Sequence, residues 1–261
     1  MEIPAMTKNI YPETRREEIL EKTNEVGQVT VQSLSRYFKV SEVTIRTDLQ
    51  VLAEQGLVIR THGGAIATTS IPELSLSLRR KKQIREKNEI GLAASHLIDD
   101  GEAIFLDISS TALALSSFLK EHKNLTVLTN SLPLAQSFID SPGVTVVMPG
   151  GILQRDTISL TGVDGMRWIE KYNIQKGFFG AHGLAIPEGL TDVSQYEAEV
   201  KKMMVRQCKQ VIAIIDSTKW GRVGLASFAM PDEIDIVVTD QKADTELVEQ
   251  AASIGIKIIQ V

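Results

Sequence analysis

The chain has 261 residues, 43% hydrophobic and 23% charged, with a net charge of −5 from 28 Lys and Arg against 33 Asp and Glu. These proportions are ordinary for a globular protein of one large or two modest domains. No apolar run approaches the ~20 residues of a membrane span and no secretory apolar core opens the chain, so a cytoplasmic protein without a membrane partner is expected. The single cysteine, Cys208, excludes an internal disulfide and fits a reducing compartment. With no evident His partner, it is read as a packing thiol rather than a nucleophile. His62, His96, His122 and His182 are scattered without ligand spacing, so neither a metal nor a cofactor is expected.

In chain order, PETRREEILEKTNEVG from Pro12 predicts a first helix with Ile19 and Leu20 on its apolar stripe and a stop at Gly27. Thr30 is placed to cap a second helix, VQSLSRYF, with Val31, Leu34 and Phe38 facing inward. A tight turn, KVS, follows, and Ser41 caps a third helix. Its apolar face reads from Val43, Ile45, Leu49 and Leu52, and its opposite face from Thr44, Arg46, Thr47 and Asp48. The β-prone LVIR and the following THGGAIA predict a hairpin, with Gly63-Gly64 supplying positive φ at the turn.

Three short helices with a sharp turn before the third, then a hairpin, make a mainly α winged helix-turn-helix over 12–67, its helix-turn-helix at 29–48. The front of the third helix suits a major groove about 12 Å wide. The DNA contacts are expected from Arg36, Ser41, Glu42, Val43, Thr44, Arg46 and Thr47, with Arg60 and His62 from the hairpin. The alternative is a three-helix scaffold that never meets DNA. Residues 1–70 are nearly balanced, eight basic against nine acidic, but a local face decides anion binding because screening is short-ranged, ~8 Å.

The run VTVQSLSRYFKVSEVTIRTDLQVLAEQGLVIRTHGGA resembles the signature of the DeoR family of bacterial transcription regulators. It carries the family's V-S-x-x-T-I-R-x-D-L, then L-x-x-x-G, then a hairpin ending G-G-A. The resemblance covers about residues 12–67 without a gap and implies binding to double-stranded operator DNA.

Composition changes after Thr68-Thr69-Ser70-Ile71-Pro72, and 68–84 is read as a linker. Within it and just beyond, RRKKQIREK (79–87) holds six basic groups and one acid and is read as a solvated linker or helix face. A helix near 85–98 then leads into AIFLD, TVLTN, VTVVMPGG, KGFFGAHG, VIAIID, DIVVTD and KIIQV, strands that alternate with helices. That order predicts a larger parallel-sheet α/β domain over 85–261, so the chain is α/β overall.

Polar loops follow five of these strands: Asp107-Ile108-Ser109-Ser110-Thr111, Thr129-Asn130-Ser131, Pro149-Gly150-Gly151, Gly180-Ala181-His182-Gly183 and Asp216-Ser217-Thr218-Lys219. Each alone is a common loop or helix cap. Together, beyond the carboxyl ends of parallel strands, they point to a small anionic ligand.

From about Arg79 onward the chain resembles the DeoR-family sensor domain, similar in fold to ribose-5-phosphate isomerase. The family's D-x-G-[ST]-T falls on Asp107 to Thr111, its T-N on Thr129 and Asn130, its G-G on Gly150 and Gly151, its D-[ST]-[ST]-K on Asp216 to Lys219, and a helix glutamate on Glu197. The resemblance implies that the first loop, with Ser109, Ser110 and Thr111, holds a phosphate while Glu197 and Lys219 face a sugar. Two positions depart from the pattern. Ser109 stands for the usual glycine, at an expected cost in backbone freedom, and His182 stands where aspartate is frequent. The expected function is a transcription repressor of carbohydrate use, modulated by a phosphorylated sugar and acting as a homodimer or higher homo-oligomer, with no catalytic residues. The alternative is a sugar-phosphate isomerase with an appended helical domain, using Glu197 and Lys219 on an enediolate.

Overall fold

A computed structural model describes residues 11–26, 28–55, 57–67, 76–155, 157–162, 165, 167, 169 and 171–261. The chain divides into two compact units, Met1–Pro72 and Glu73–Val261. The expected helix stop at Gly27 lies outside the described residues.

The first unit runs α1 (Pro12–Val26), β1 (Gln28–Thr30), α2 (Val31–Phe38), α3 (Glu42–Glu54), β2 (Val58–Thr61) and β3 (Gly64–Ala67). Thr30 caps α2 with a reciprocal box: its Oγ1 accepts the Ser33 N–H, and Ser33 Oγ accepts the Thr30 N–H. Lys39 takes a left-handed conformation, φ 53°, and ends α2. Ser41 then starts α3 by accepting the Thr44 N–H at 3.1 Å. Two caps and one left-handed residue make the sharp turn. Ile19, Leu20, Val31, Leu34, Phe38, Ile45, Leu49 and Leu52 fill the core, and burying each such side chain stabilises by roughly 1.5–3 kcal/mol.

Three expectations for this unit need correction. Val43 does not join the apolar face: it is 72% exposed. Asp48 does not join the polar face: it is 1% exposed and binds Arg15 Nε at 2.6 Å and Arg16 Nε at 2.9 Å. Gly63 and Gly64 do not have positive φ. Gly64 is required for a different reason, since β1 adds to the hairpin as a third strand, in the order β1-β3-β2. A Cβ on Gly64 would stand 1.9 Å from Val29 O.

The second unit contains α4 (Leu76–Lys81), α5 (Ile84–Ser95), β4 (Ala103–Leu106), α6 (Ser110–Ser116), β5 (Leu125–Leu128), α7 (Leu132–Ser137), β6 (Val144–Val147), β7 (Ile152–Gln154) and β8 (Ser159–Thr161). It continues with β9 (Ile174–Phe179), β10 (Gly183–Ala185), β11 (Gly189–Asp192), α8 (Gln195–Gln207), β12 (Cys208–Ile214), β13 (Ala226–Ala229), β14 (Ile236–Thr239), α9 (Thr245–Ser253) and β15 (Lys257–Gln260). Its main sheet is parallel throughout, in the order β15-β14-β12-β9-β4-β5-β6. The seven strands of this sheet correspond to the seven apolar runs of the sequence.

Both faces of the sheet are buried, which explains why its strands are apolar without alternation. Ile104, Leu106, Phe178, Ile212 and Ile214 pack toward Ile90, Ala94, Leu115 and Leu134 of α5, α6 and α7. Phe105, Phe179, Val211 and Ala213 pack toward Ala198, Met204 and Val205 of α8 and Val248 and Ala251 of α9. Two smaller antiparallel pieces, β10-β11-β13 and β7-β8, are absent from the sequence reading.

Of the expected linker at 68–84, residues 68–75 lie outside the described residues, while α4 occupies 76–81 with Leu76 buried. The basic run is not simply solvated either: Lys87 is 6% exposed and donates to Arg79 O at 2.6 Å and Lys82 O at 2.5 Å. Among the described residues, no helix is long and apolar enough to cross a membrane.

Asp48→Ala is expected to destabilise the first unit by ~3 kcal/mol, because the buried Arg15 guanidinium loses this counter-charge. Urea denaturation followed by helical circular dichroism measures it, and an unchanged first transition would refute the anchoring role.

Candidate functional site

On the first unit, the front of α3 is presented rather than packed. Val43 is 72% exposed, and Glu42, Arg46 and Thr47 are exposed beside it. Arg46 Nη2 lies 3.5 Å from Glu42 Oε2, one turn back. Thr47 Oγ1 donates to Val43 O at 3.1 Å, and the Ser41 and Thr44 hydroxyls lie 2.9 Å apart. Arg60 on β2 donates to Arg46 O at 2.8 Å, which ties the hairpin to the helix. Arg36 and His62 are exposed. The nine DNA-contact candidates thus sit on α2, the α2–α3 turn, the front of α3 and the hairpin.

On the second unit, strand order reverses beside β4: β5 and β6 lie on one side, β9, β12, β14 and β15 on the other. At such a reversal the loops diverge and open a crevice beyond the strand ends. Asp107 and Gly180, following β4 and β9, stand together there. Asp107 Oδ1 accepts the Ser109 N–H at 3.0 Å, and Oδ2 accepts the Gly180 N–H at 2.9 Å. Lys201 Nζ lies 3.0 Å from Asp107 Oδ2 and donates to Asp192 Oδ2 and Gly180 O, both at 2.8 Å.

Lys201 is 3% exposed. Burial disfavours its charge, but the Asp192, Asp107 and Glu197 carboxylates outweigh that and hold the ammonium above its usual range. Asp192 also resists ionisation through burial, and the Lys201 charge overrides this to keep its carboxyl below the usual range. Glu197, 7% exposed, is pushed up to about 7 by burial and then by Asp192. Its Oε2 is buried without a hydrogen-bond partner. A narrow cleft, with about 10 Å³ of room for water-sized groups, is lined by Asp107, Asn130, Thr161, Glu197 and Lys201, with apolar walls from Phe105, Ile108 and Val200.

Of the residues singled out in the sequence, Asp107, Asn130 and Glu197 come together in this cleft. The others lie outside its lining. Ser109 caps α6 by accepting the Ala112 N–H at 3.0 Å, with φ −73°, so the loop makes no demand for glycine there. Ser110 and Thr111 are buried in the first turn of α6. Thr129 Oγ1 accepts the Ser131 N–H at 3.1 Å. Gly151 has φ +153°, and a Cβ there would stand 2.4 Å from the carbonyl of the cleft residue Thr161, while Gly150 is exposed. The His182 N–H donates to Thr191 O at 2.9 Å. Lys219 closes a short 3-10 turn, Ser217–Lys219, and its charge acts on Lys87.

Asp192 and Lys201 were not singled out, and Arg79 and Lys87 were read only as part of the basic run 79–87. Glu197 and Lys201 are i,i+4 on one helix face, a spacing that points from one to the other. Arg79 acts electrostatically on Glu197 and Asp192 and also on Lys87. Burial lowers Lys87 to about 8, with Asp216 opposing and Lys219, Arg79 and Lys82 adding to the shift. Burial pushes the Cys208 thiol up to about 12, so it stays protonated at neutral pH.

The raised Glu197 carboxyl makes stability depend on pH. Because the folded state holds this proton more tightly than the unfolded chain, its stabilising contribution is full below about pH 4.5 and is lost as pH rises through about 7. Relative to wild type, Glu197→Gln is therefore expected to gain stability between about pH 5 and pH 8, by on the order of 3 kcal/mol. Both tryptophans, Trp168 and Trp220, belong to the second unit, so urea denaturation read by fluorescence reports on it. Parallel pH profiles for the two proteins would refute this.

Residues 15–71 match the DeoR-like helix-turn-helix domain, and residues 82–241 match the DeoR C terminal sensor domain. The chain is 34% identical to the HTH-type transcriptional regulator GolR of Listeria innocua over 95% of its own length and 98% of that protein. It is 35% identical to the HTH-type transcriptional repressor GlcR of Bacillus subtilis, covering 89% of this chain and 90% of the relative. The glycerol-3-phosphate regulon repressor of Escherichia coli is 29% identical, over 87% and 90%. Among solved structures, ribose 5-phosphate isomerase A of Methanocaldococcus jannaschii is similar over 51% of this chain and 53% of that one, at 16% identity and a TM-score of 0.39, too distant to carry an argument. Matched along both units, and by relatives spanning nearly its whole length, this chain belongs to the DeoR family of DNA-binding transcriptional regulators.

Proposed function

We propose that the chain represses a carbohydrate-use operon and that a phosphorylated sugar, bound in the second unit, modulates its hold on DNA. The observation that carries the sensing half is the cleft at the reversal of strand order, where a buried polar set surrounds an unsatisfied acceptor. Asn130 and Glu197 offer donors and acceptors suited to sugar hydroxyls, held in place by the Asp107–Lys201 pair. The cations Arg79, Lys87 and Lys219, with the Ser109–Thr111 loop, supply the side that attracts a phosphate. One relative is named for a glycerol-3-phosphate regulon, which agrees with a phosphate ester as the signal.

For the DNA half, Arg46, Thr44, Thr47 and Val43 meet base edges, while Ser41, Arg36, Arg60 and His62 serve the backbone and Glu42 orients Arg46. A helix-turn-helix protein reads paired half-sites as a dimer, and a homodimer is the assembly proposed here. An isomerase reading draws on Glu197, since a carboxyl near 7 suits a general base. Its remaining buried partners, however, are locked to one another rather than turned toward a reacting carbon.

Arg46→Ala is expected to lose ~1–3 kcal/mol of operator binding, whereas Lys219→Ala loses the response to a sugar phosphate. Gel shifts on the native upstream region, with and without the ester, test both. Unchanged affinity in Arg46→Ala removes α3 from the groove, and a wild-type response in Lys219→Ala moves the phosphate elsewhere. The protein is also expected to return a bound sugar phosphate unaltered after long incubation. Steady turnover that disappears in Glu197→Gln would make it an enzyme.

A further inference from the structure

The cleft contains one polar atom that the fold leaves unanswered. Glu197 Oε2 is buried without a partner, and its residue is 7% exposed and lines the cleft. A buried acceptor left without a hydrogen bond has lost its hydration with nothing in return. The charged groups facing it are Asp192 on β11, Lys201 one turn along α8, Arg79 on α4 and Asp107 beyond β4. Lys201 Nζ donates to Asp192 and to Gly180 O and pairs with Asp107, so its charge is engaged away from Oε2, which it leaves without a donor.

A ligand group meeting Oε2 must therefore bring its own donor. A further negative charge is disfavoured there, because the three carboxylates Asp107, Asp192 and Glu197 outnumber the two cations, Lys201 and Arg79. A phosphate would be repelled here, whereas a sugar hydroxyl meets both conditions. We propose that Glu197 captures the effector as a carboxylate, accepting a sugar hydroxyl on Oε2, and that filling the cleft releases a proton. This rests on the sugar-phosphate reading above. It sets the orientation of the ester, with its hydroxyl end at Glu197 and its phosphate away from these carboxylates, and makes the sensor respond to pH as well as to ligand.

The direction of the effect follows from which form the ligand favours. In the empty site, burial and Asp192 keep the carboxyl near 7, so about half the molecules are protonated at neutral pH. A hydroxyl donated to Oε2 stabilises the ionised form. Binding therefore weakens as pH falls below about 7, roughly tenfold between about pH 8 and pH 6.

Isothermal calorimetry on the full chain tests this with glycerol 3-phosphate, ribose 5-phosphate, glucose 6-phosphate and fructose 6-phosphate as probes. Inorganic phosphate and the unphosphorylated parents serve as controls. The ester's own second ionisation, near pH 6, affects wild type and Glu197→Gln alike, so the roughly tenfold loss is read as the difference between them. In two buffers of unlike ionisation heat at about pH 7, wild type is expected to release about half a proton more than Glu197→Gln. Equal pH dependence in the two proteins, or proton uptake by wild type, overturns the inference while the sensor reading stands. Should Glu197→Gln fail to fold, the wild-type proton count decides alone, and no release overturns the inference. Binding by none of the four esters overturns the sugar-phosphate reading itself.

Discussion

A buried lysine organises the second unit. Lys201 comes from α8, yet its ammonium joins the end of β4 through Asp107, the end of β9 through Gly180 O, and β11 through Asp192. Removing an ammonium from water costs several kcal/mol, which is recovered only when charge and hydrogen bonds are both supplied in close geometry. Here two hydrogen bonds and a second carboxylate meet one ammonium. The arrangement fixes where α8 lies over the sheet, and so where Glu197, one turn earlier, enters the cleft. The small antiparallel sheet is drawn in as well, since Asp192 ends its central strand.

The first unit uses the same device on a smaller scale. Asp48 is buried on α3 and takes Arg15 and Arg16 of α1, one on each oxygen. That pair sets the rotation of α3, which turns Val43, Arg46 and Thr47 outward while Ile45 and Leu49 stay in the core. In both units a charged side chain that reads as surface is the locking element. The residues proposed to bind then hang from the locked helix.

This also explains what was legible in the sequence. The seven main strands were readable because a sheet buried on both faces leaves uninterrupted apolar runs such as AIFL and VIAI. The caps at Thr30 and Ser41 were readable because hydroxyls before helices have a local cause. Asp48, Lys201 and Asp192 were not, since burial of a charge depends on partners distant in the chain: Asp48 and Arg15 are 33 residues apart. Lys201 sits in KKMM, where two adjacent lysines look alike, and only packing distinguishes the buried one from the exposed Lys202. The strands β7, β8 and β10 have three residues each, too short for alternation to register. Cleft membership was legible only in part, because loops beyond strand ends resemble one another until the order of strands is known.

The close approach of two loops at the cleft has an evolutionary consequence. A Cβ on Gly180 would lie 2.3 Å from Ser109 Cβ and 2.6 Å from its Oγ. Backbone from two strands holds these positions, so neither can withdraw far. While serine occupies 109, position 180 is confined to glycine. A change to alanine at 180 becomes accessible only after 109 has itself become glycine. The permitted substitutions therefore have an order, and a lineage leaving this pair must pass through a glycine–glycine intermediate, in which α6 is without its serine cap.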